Sequence, residues 1–507
     1  MKSCIIHTRI PAGQAAGNFD ILLPDGFGVP KGFVVYNLTN SSAYNAFDNG
    51  TADVTRSVGF GGSSSSGAQT IRNICNFQYN QYNVNPTVAV SGTAATTAMY
   101  DRNSNNTILR SWYATSFVTD KIVGRYHVVG VPTAPVDMVF TVFSGDDVYC
   151  AVTGIAVTTT AVHSATTPFQ ADIAFLMHNR PAQTTDGDLC FGVAHRVTGS
   201  GSGATTVRAR VSSAFRNLTA QTTSQTQNLV SSRLTQCLST NYGIYTTYMG
   251  TSSIGFTGSG AATGNTIICL AIKGPSSDDF AVGNFVMFGS TGSTTYATNF
   301  VPQLVMGGNC PVPGTDTVYT TSANGCETMN LYTATGLSER NINGFGTITA
   351  STASATITGT GSSFLFQIGP TDLLKTTDGV EIGTVSSVAS NTSLTLTANS
   401  AINLTTQNFV FEKSQQFSLG WGNRDAEATN PNRYMYGYTS TNAMIGFTCG
   451  IVAATLEKSG TVNDFRLDGN AFSANLTTST GGNDNGWYVA FKDQNYANVR
   501  RGAQVIQ

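Results

Sequence analysis

The chain has 507 residues, of which only 11% are Asp, Glu, Lys or Arg, whereas about 25% are charged in ordinary soluble proteins. Its 53 glycines and its many Ser, Thr and Asn residues suit strands and turns, and they exclude coiled coils, helical bundles and charge-driven disorder. The formal net charge is −2, and no apolar run approaches the ~20 residues of a membrane helix, so we expect neither nucleic acid nor a membrane as a partner.

The N-terminal residues, Met1-Lys2-Ser3-Cys4, do not lead into the apolar core of a signal peptide. We therefore expect a protein that is made in the cytosol. Its nine cysteines are odd in number and widely spread, which favours buried free thiols. A local disulfide between Cys310 and Cys326, which lie close together in a loop with Pro and Gly, is an open alternative.

Three segments along the chain share one pattern, in which a strongly apolar strand runs into an acidic turn. The acidic turns are Asp146-Asp147, Asp278-Asp279 and Asp493, and the strands before them are predicted at 136–143, 265–273 and 485–492. A second strand follows each turn, at 148–157, 280–288 and 499–506, and residues 4–9 open the chain in the same role. This ordered recurrence predicts internal repeats.

Each predicted repeat continues with two further features in the same order. A turn containing Pro or Phe introduces an apolar strand, at 33–36, 173–176 and 304–306. A glycine-containing strand and a hairpin follow, with strands at 57–60, 189–192 and 417–421 and hairpin tips at 61–67, 199–203 and 425–432. We interpret these Gly-, Ser- and Asn-rich tracts as hairpin tips rather than domain linkers.

The third repeat is longer than the others because of a segment at about 344–412. Ile, Val and Leu alternate there with Thr and Ser, as in Thr392-Ser393-Leu394-Thr395-Leu396. A period of two predicts half-buried strands. We expect a small β module inserted into an exposed loop of its host.

The sequence therefore predicts an all-β protein of three tandem antiparallel β-sandwich repeats, jelly-roll-like in organisation, with a small β-barrel or sandwich module inserted in the third. The expected boundaries are 1–145, 146–278 and 279–507, with the module at about 344–412. The strand at 499–506 is left over. We expect it to pair with its own sheet, and pairing with a neighbouring copy is the alternative.

Several motifs resemble a repeated β domain of tailed-bacteriophage virion proteins. They are Gly26-Phe27-Gly28-Val29-Pro30 before an apolar strand, then Ser57-Val58-Gly59-Phe60, and the late strand Tyr488-Val489-Ala490-Phe491. The inserted stretch, with Gly359-Thr360-Gly361-Ser362-Ser363-Phe364, is similar to a small module of phage tail and fibre proteins. The second repeat departs from the pattern, with Thr166-Thr167-Pro168-Phe169 where Gly-Phe is expected. The resemblance implies a structural virion protein and brings no catalytic residues with it.

The sequence offers little support for catalysis or metal binding. The five histidines are not at metal-ligand spacing, and the chain contains no Cys-x-x-Cys, no Gly-x-Ser-x-Gly and no phosphate-binding loop. We therefore expect no catalytic residue, no cofactor and no metal.

Three weaker alternatives are kept open. His178 and His195 could meet Asp186 or Asp188 across a hairpin, and the turns at Asp146-Asp147 and Asp278-Asp279 could bind calcium. Glycoside cleavage would need two carboxylates about 5–10 Å apart. The candidate acids are Asp172, Asp186, Asp188, Asp425, Glu427, Asp464 and Asp468.

Tyrosine and asparagine on β loops suit the recognition of sugars or protein surfaces. Two groups of tyrosines fit this description, although ordinary sheet packing is the alternative. They are Tyr79, Tyr82, Tyr100 and Tyr113 in the first repeat and Tyr242, Tyr245 and Tyr248 in the second.

These features favour a non-enzymatic structural component of a tailed-phage virion, a tail fibre, spike or other appendage that contacts the host surface. The expected partners are further copies of the chain, with a trimer as first choice, other virion proteins, and a host glycan or receptor. A polysaccharide depolymerase, a head decoration or head-fibre protein, and a bacterial adhesin or surface-layer protein are the alternatives.

Overall fold

The computed structural model is built almost wholly of β-strands. It describes residues 1–24, 26–39, 54–64, 71–80, 89–102, 108–129, 134–157, 161–179, 186–196, 207–218, 224–230, 235–237, 242–259, 265–310, 317–320, 326–335, 342–364, 368–369, 372–412, 416–424, 434–440, 442, 444–449, 454–466, 470–480 and 483–492, at some positions by the backbone alone. Within these ranges no helix combines the length and the apolar character that spanning a membrane requires.

Eleven strands form the first unit of the chain. They are β1 (Lys2–Ile10), β2 (Gly17–Asn18), β3 (Ile21–Leu22), β4 (Pro30–Thr39), β5 (Val54–Ser64), β6 (Ile71–Asn80), β7 (Ala89–Ala94), β8 (Met99–Arg102), β9 (Ile108–Val118), β10 (Lys121–Val128) and β11 (Val136–Ser144). The large sheet of unit 1 has the order β1-β11-β4-β5-β6-β7, and its small sheet has the order β2-β10-β9-β8 with β3 beside β10.

Ten strands form the second unit. They are β12 (Tyr149–Val157), β13 (Val162–Thr166), β14 (Ile173–Asn179), β15 (Asp186–Arg196), β16 (Val207–Leu218), β17 (Ser224–Val230), β18 (Thr235–Cys237), β19 (Tyr242–Met249), β20 (Ser253–Ser259) and β21 (Asn265–Lys273). Its large sheet has the order β12-β21-β14-β15-β16-β17, and its small sheet has the order β13-β20-β19-β18. A 3-10 turn at Ser277–Asp279 leads into the third unit.

The third unit contains an insertion. Its own strands are β22 (Phe280–Met287), β23 (Gly292–Ala297), β24 (Pro302–Cys310), β25 (Thr317–Thr320), β26 (Cys326–Thr335), β35 (Gln416–Arg424), β36 (Tyr434–Ser440), β37 (Met444–Cys449), β38 (Ala454–Arg466), β39 (Ala471–Ser479) and β40 (Asp484–Lys492). Its large sheet has the order β22-β40-β24-β26-β35-β36, and its small sheet has the order β23-β39-β38-β37. Strand β25 instead pairs with β17 of unit 2.

The inserted module forms a separate, curled eight-stranded sheet between β26 and β35. Its strands are β27 (Ile342–Asn343), β28 (Thr347–Ala350), β29 (Thr356–Thr360), β30 (Leu373–Thr376), β31 (Glu381–Ser390), β32 (Ser393–Leu396), β33 (Leu404–Gln407) and β34 (Phe409–Glu412). Alternate residues point inward, as predicted from the period of two, and Ile357, Phe364 and Leu394 are fully buried.

The pairing order corrects one sequence-based assignment. The strand at 417–421 was expected to match those at 57–60 and 189–192, which lie in β5 and β15. In the sheet order, β26 occupies the place of β5 and β15, and β35 occupies the place of β6 and β16. The module therefore interrupts the same hairpin that carries the Gly- and Ser-rich tracts in units 1 and 2. Residues 61–64 of the first predicted hairpin tip are part of β5, whereas residues 65–67 and the tract at 199–203 lie outside the described residues.

The central strands β4, β11, β21 and β40 of the large sheets are strongly apolar because both of their faces are buried. In β4, Val34 and Tyr36 join a cluster shared by all three units, which we call the central core, whereas Phe33 and Val35 face the small sheet of unit 1. In β40, Trp487 and Val489 likewise face the central core. A strand buried on both sides is a continuous apolar run, which is the pattern that the sequence displays.

Aromatic rings from all three units meet in the central core. The ring centroids of Phe143 in β11 and Phe491 in β40 are 5.4 Å apart, and Phe175 in β14 lies 6.2 Å from the first and 6.3 Å from the second. Phe191 in β15 lies 5.6 Å from Trp487. These separations suit packed aromatic pairs, so the three units form one buried core rather than separate bodies.

The motif Ser57-Val58-Gly59-Phe60 has a steric explanation. A Cβ atom added to Gly59 would lie 1.9 Å from the carbonyl oxygen of Ala98. Only glycine lets the backbone just before β8 of the small sheet approach β5 of the large sheet so closely.

The expected all-β, multi-sandwich fold is confirmed. The boundaries 1–145, 146–278, 279–507 and 344–412 stay predictions, and the leftover strand at 499–506 lies outside the described residues. Cys4, Cys75, Cys150, Cys190 and Cys269 are buried free thiols, as expected. The side chains of Cys310 and Cys326 lie outside the description, so the disulfide between them stays a prediction.

Replacing Phe491 by alanine should destabilise all three units together. Truncating a buried phenylalanine costs about 3–5 kcal/mol, and Phe491 contacts both Phe143 and Phe175. We expect faster amide hydrogen exchange in β11 and β14 as well as in β40, and a lower midpoint of urea unfolding. The control Phe288→Ala removes a ring that is 42% exposed and should change neither quantity much. Faster exchange confined to β40 would contradict a shared core.

Candidate functional site

An open groove lies where the large sheets of units 1 and 2 join. The two sheets are linked by a short parallel contact, in which Ser63 of β5 pairs with Ala151 of β12 and Ser64 pairs with Val152. The Ser63 hydroxyl donates a hydrogen bond of 2.7 Å to the carbonyl of Cys150. The groove beside this contact, which we call the junction groove, has a volume of about 600 Å³.

Aromatic rings line much of the junction groove. Tyr149, the first residue of β12, is 50% exposed, and its ring centroid lies 6.0 Å from that of Phe169. Phe117 of β9 lines the groove and is held from behind by Phe33, at 6.3 Å between centroids. Pro30 and Pro168 add rigid walls.

Two lysines also line the junction groove. Lys273, the last residue of β21, lies directly opposite Tyr149 in the strand register, and its Nζ atom stands 5.7 Å from the centroid of the tyrosine ring. Lys31, the second residue of β4, lies near the buried Cys150. Among the described residues that line the groove there is no Asp or Glu. The groove therefore combines flat apolar faces with positive charge.

The Cys150 thiol in the groove wall is buried and is held in its protonated form. Burial raises the pKa of the Cys150 thiol far above its usual value, and Lys31 lowers it only in part. A thiol rather than a thiolate is a poor nucleophile. Burial likewise raises the pKa of Cys75 to about 12.

A second, smaller cavity of about 280 Å³ lies between β1–β3 and the inserted module. Two of its titratable groups, those of His7 and Asp20, already have partners in the protein. His7 Nε2 lies 3.1 Å from Asp137 Oδ1, and Asp20 Oδ2 lies 3.0 Å from Lys121 Nζ. The His7 ring also stacks on Phe417, with centroids 3.9 Å apart. These contacts explain the positions of His7 and Asp20 without a bound ligand.

The suggested acid–base group is separated at His195 but stays untested at His178. His195 pairs with Ile173 at one end of the β14–β15 hairpin, whereas His178 pairs with Cys190 five positions further along. A strand rises about 3.3 Å per residue, so the two histidines lie far apart. Asp186 and Asp188 lie still further along β15 from His195, opposite Leu218 and Arg216 of β16. His178 pairs with Cys190, however, two residues along β15 from Asp188. The side chains of His178, Asp186 and Asp188 lie outside the described residues.

His195 instead belongs to a structural cluster with Asp172. Its Nε2 lies 2.8 Å from the carbonyl oxygen of Ser277, and burial lowers its pKa, although that carbonyl and Asp172 oppose the shift. The Asp172 carboxylate accepts hydrogen bonds from Arg196 and from the amide of Gly274. Asp172 thereby joins the ends of β14, β15 and β21, which explains its burial without any catalytic role.

Pairing among the other acidic candidates stays untested. The side chains of Asp186, Asp188 and Asp464 are outside the description, as are residues Asp425, Glu427 and Asp468 altogether. In the described parts of the chain, no three His, Cys, Asp or Glu side chains are placed to hold a metal ion.

The acidic turns differ from one another. Asp146 and Asp147 are exposed, whereas Asp279 is buried and lies 3.2 Å from Lys492 Nζ. Calcium binding at either turn stays an alternative without structural support.

The tyrosine groups also divide. Tyr100 is buried and packs on Phe77 at 4.7 Å between centroids, so it is a core residue. Tyr248 is half-buried, and its hydroxyl lies 2.9 Å from that of Ser164. Tyr113 is half-buried in β9, and the side chains of Tyr79, Tyr242 and Tyr245, like residue Tyr82, lie outside the description. Tyr149 was not among the tyrosines singled out from the sequence. The feature that could have identified it is its position two residues after the acidic turn Asp146-Asp147.

Comparisons with known proteins assign no family. No family model matches the chain, and no curated protein matches it. Among solved structures, one match is intact Ap-TbpB with its N and C lobes, at 7% identity over 96% of this chain and 79% of that chain. The TM-score of 0.10 is far too low to indicate a shared fold.

The buried state of His195 predicts a pH dependence of stability. Because its pKa is lowered in the folded state, the unfolded chain takes up the proton first as the pH falls. The stabilisation is complete above the ordinary histidine pKa of about 6.5 and is lost below it. Urea midpoints at pH 7 and pH 5 should differ less in His195→Gln than in the natural protein. The exposed control His127→Gln should keep the natural difference, and an unchanged difference in His195→Gln would contradict the assignment.

Proposed function

We propose that this chain is a structural component of a tailed-bacteriophage virion, fixed to the particle as a tail fibre, spike or other appendage. The observation that carries the proposal is the central core, in which three equivalent six-stranded sheets pack against one another. Such a body is rigid and well protected from proteolysis, because few strands are free to open alone. The motif resemblance supplies the phage context.

The outward parts of this body favour a role in contact with a host surface. The small sheets lie outside the large ones, and the junction groove opens between units 1 and 2. A head decoration or head-fibre protein is the nearest alternative and would use the same rigidity. The bacterial adhesin or surface-layer protein stays a further alternative without a supporting observation.

Assembly into homo-oligomers, with a trimer as first choice, is part of the proposal, as are contacts with other virion proteins. The central core already brings three equivalent sheets together within one chain. A trimer of chains would therefore have to use other surfaces, such as the small sheets or the inserted module.

Labelling of intact particles tests the proposed location. Antibodies raised against the purified chain should place gold on an appendage of phage particles released from the cells that make the protein. Pre-immune serum and particles lacking the gene are the controls. If the chain stays in the soluble lysate and labels neither intact nor opened particles, the proposal is wrong.

A reducing-end assay separates the structural role from depolymerase activity. Among the described side chains, Asp172 is the one acidic candidate that can be examined, and it is buried against Arg196. We expect no new reducing ends when the purified chain is incubated with capsular polysaccharide from the host. Release of reducing ends that a heat-denatured sample does not produce would favour the depolymerase instead.

A further inference from the structure

We propose that the junction groove binds an acidic oligosaccharide whose sugar rings stack on Tyr149 and Phe169 and whose carboxylates pair with Lys31 and Lys273. This inference rests on the proposed function insofar as it names a ligand class on a host surface. The groove itself, however, is a property of the purified chain, so it can be tested without the particle.

The size and the rings of the groove fit a short oligosaccharide. Its volume of about 600 Å³ falls within the range of sites that hold small ligands. The rings of Tyr149 and Phe169 lie at 46° to one another, so they form two faces of one trough. The apolar face of a pyranose ring packs well against a flat aromatic ring, which is already fixed and loses little entropy.

The charges select an acidic sugar over a neutral one. Lys31 and Lys273 line the groove, and no carboxylate stands among its described lining residues. Asp146 and Asp147 belong to the preceding turn and do not line it. In unit 3, Lys492 occupies the same strand position as Lys273, but it pairs with the buried Asp279. The equivalent lysine is thus neutralised by the protein in one unit and directed over a tyrosine ring in the other.

The backbone around the groove argues against a peptide added as a strand. Strand β5 pairs on its two sides with β4 and β6, and β12 pairs with β21. On its other side β12 pairs with β5 at Ala151 and Val152. A peptide strand added at the groove would have to displace that contact, because strand addition requires a free edge. A proline-rich peptide lying on the aromatic rings is a separate outcome of the test.

Titration calorimetry with defined trisaccharides tests the site. Trigalacturonate, triglucuronate and α2,8-linked trisialic acid are the acidic probes, and galactotriose is the neutral comparison. We expect at least one acidic probe to bind more tightly than galactotriose and to bind more weakly as NaCl is added. Lys273→Gln should weaken that binding about two- to fivefold, as expected for a partly exposed ion pair. Tyr149→Ala should weaken it about five- to tenfold.

The double variant Lys31→Gln/Lys273→Gln gives the sharpest result. It should bind the acidic and the neutral trisaccharide equally weakly while keeping the urea midpoint of the natural protein. Lys375→Gln, in the inserted module, is the matched control and should bind normally. Failure of every acidic probe at millimolar concentration, or unchanged acidic binding by the double variant, would overturn the proposal. Binding of a proline-rich peptide with no sugar binding would also overturn it.

The two proposals fail separately. Gold on the particle without sugar binding would remove only the ligand assignment. Sugar binding without any label on the particle would remove the virion role and leave the groove as a glycan site.

Discussion

The structure depends on burying both faces of three six-stranded sheets. One face of each large sheet packs on the small sheet of its own unit, which in unit 1 includes the short strands β2 and β3. The other face meets the large sheets of the two remaining units. A free β-sandwich would leave that second face in water, and its apolar patch would include Phe143 in unit 1, Phe175 in unit 2 or Phe491 in unit 3. The three units therefore stabilise one another, and none of them is complete alone.

Each unit contains a buried ion pair, although the chain has few charged residues. Asp101 and Arg110 pair at 2.6 Å in unit 1, and Asp484 and Lys458 pair at 3.0 Å in unit 3, while Asp172 and Arg196 pair in unit 2. Burial raises the pKa of Asp484, and Lys458 opposes that shift. Because such charges are buried together, losing one partner would leave the other desolvated and unpaired. The two lysines of the junction groove differ from these paired charges, because no Asp or Glu is among the described residues that line the groove.

Local sequence patterns predicted the strands well but not all of their partners. The apolar runs that became β11, β21 and β40 were recognisable because burial on both faces removes polar residues from them. The place of β26 was missed, since the module separates it from its partner β35 and no local pattern encodes pairing across an insertion. The groove was missed for a similar reason. Its residues run from Pro30 to Lys273 and are far apart in the sequence, and they are brought together where β5 pairs with β12 and β12 pairs with β21.

Equivalent strand positions in units 2 and 3 have different side-chain partners where the strands leave the central core. In β21 and β40 the inward residues Ile272 and Phe491 both belong to the central core, so both positions are occupied by a buried apolar side chain. The next residue is a lysine in both strands, yet Lys492 joins the buried Asp279 whereas Lys273 faces an exposed tyrosine. A residue one step beyond a shared core can change its partner without disturbing the fold. The ends of the large strands are therefore the places where three units of the same topology can acquire separate binding surfaces.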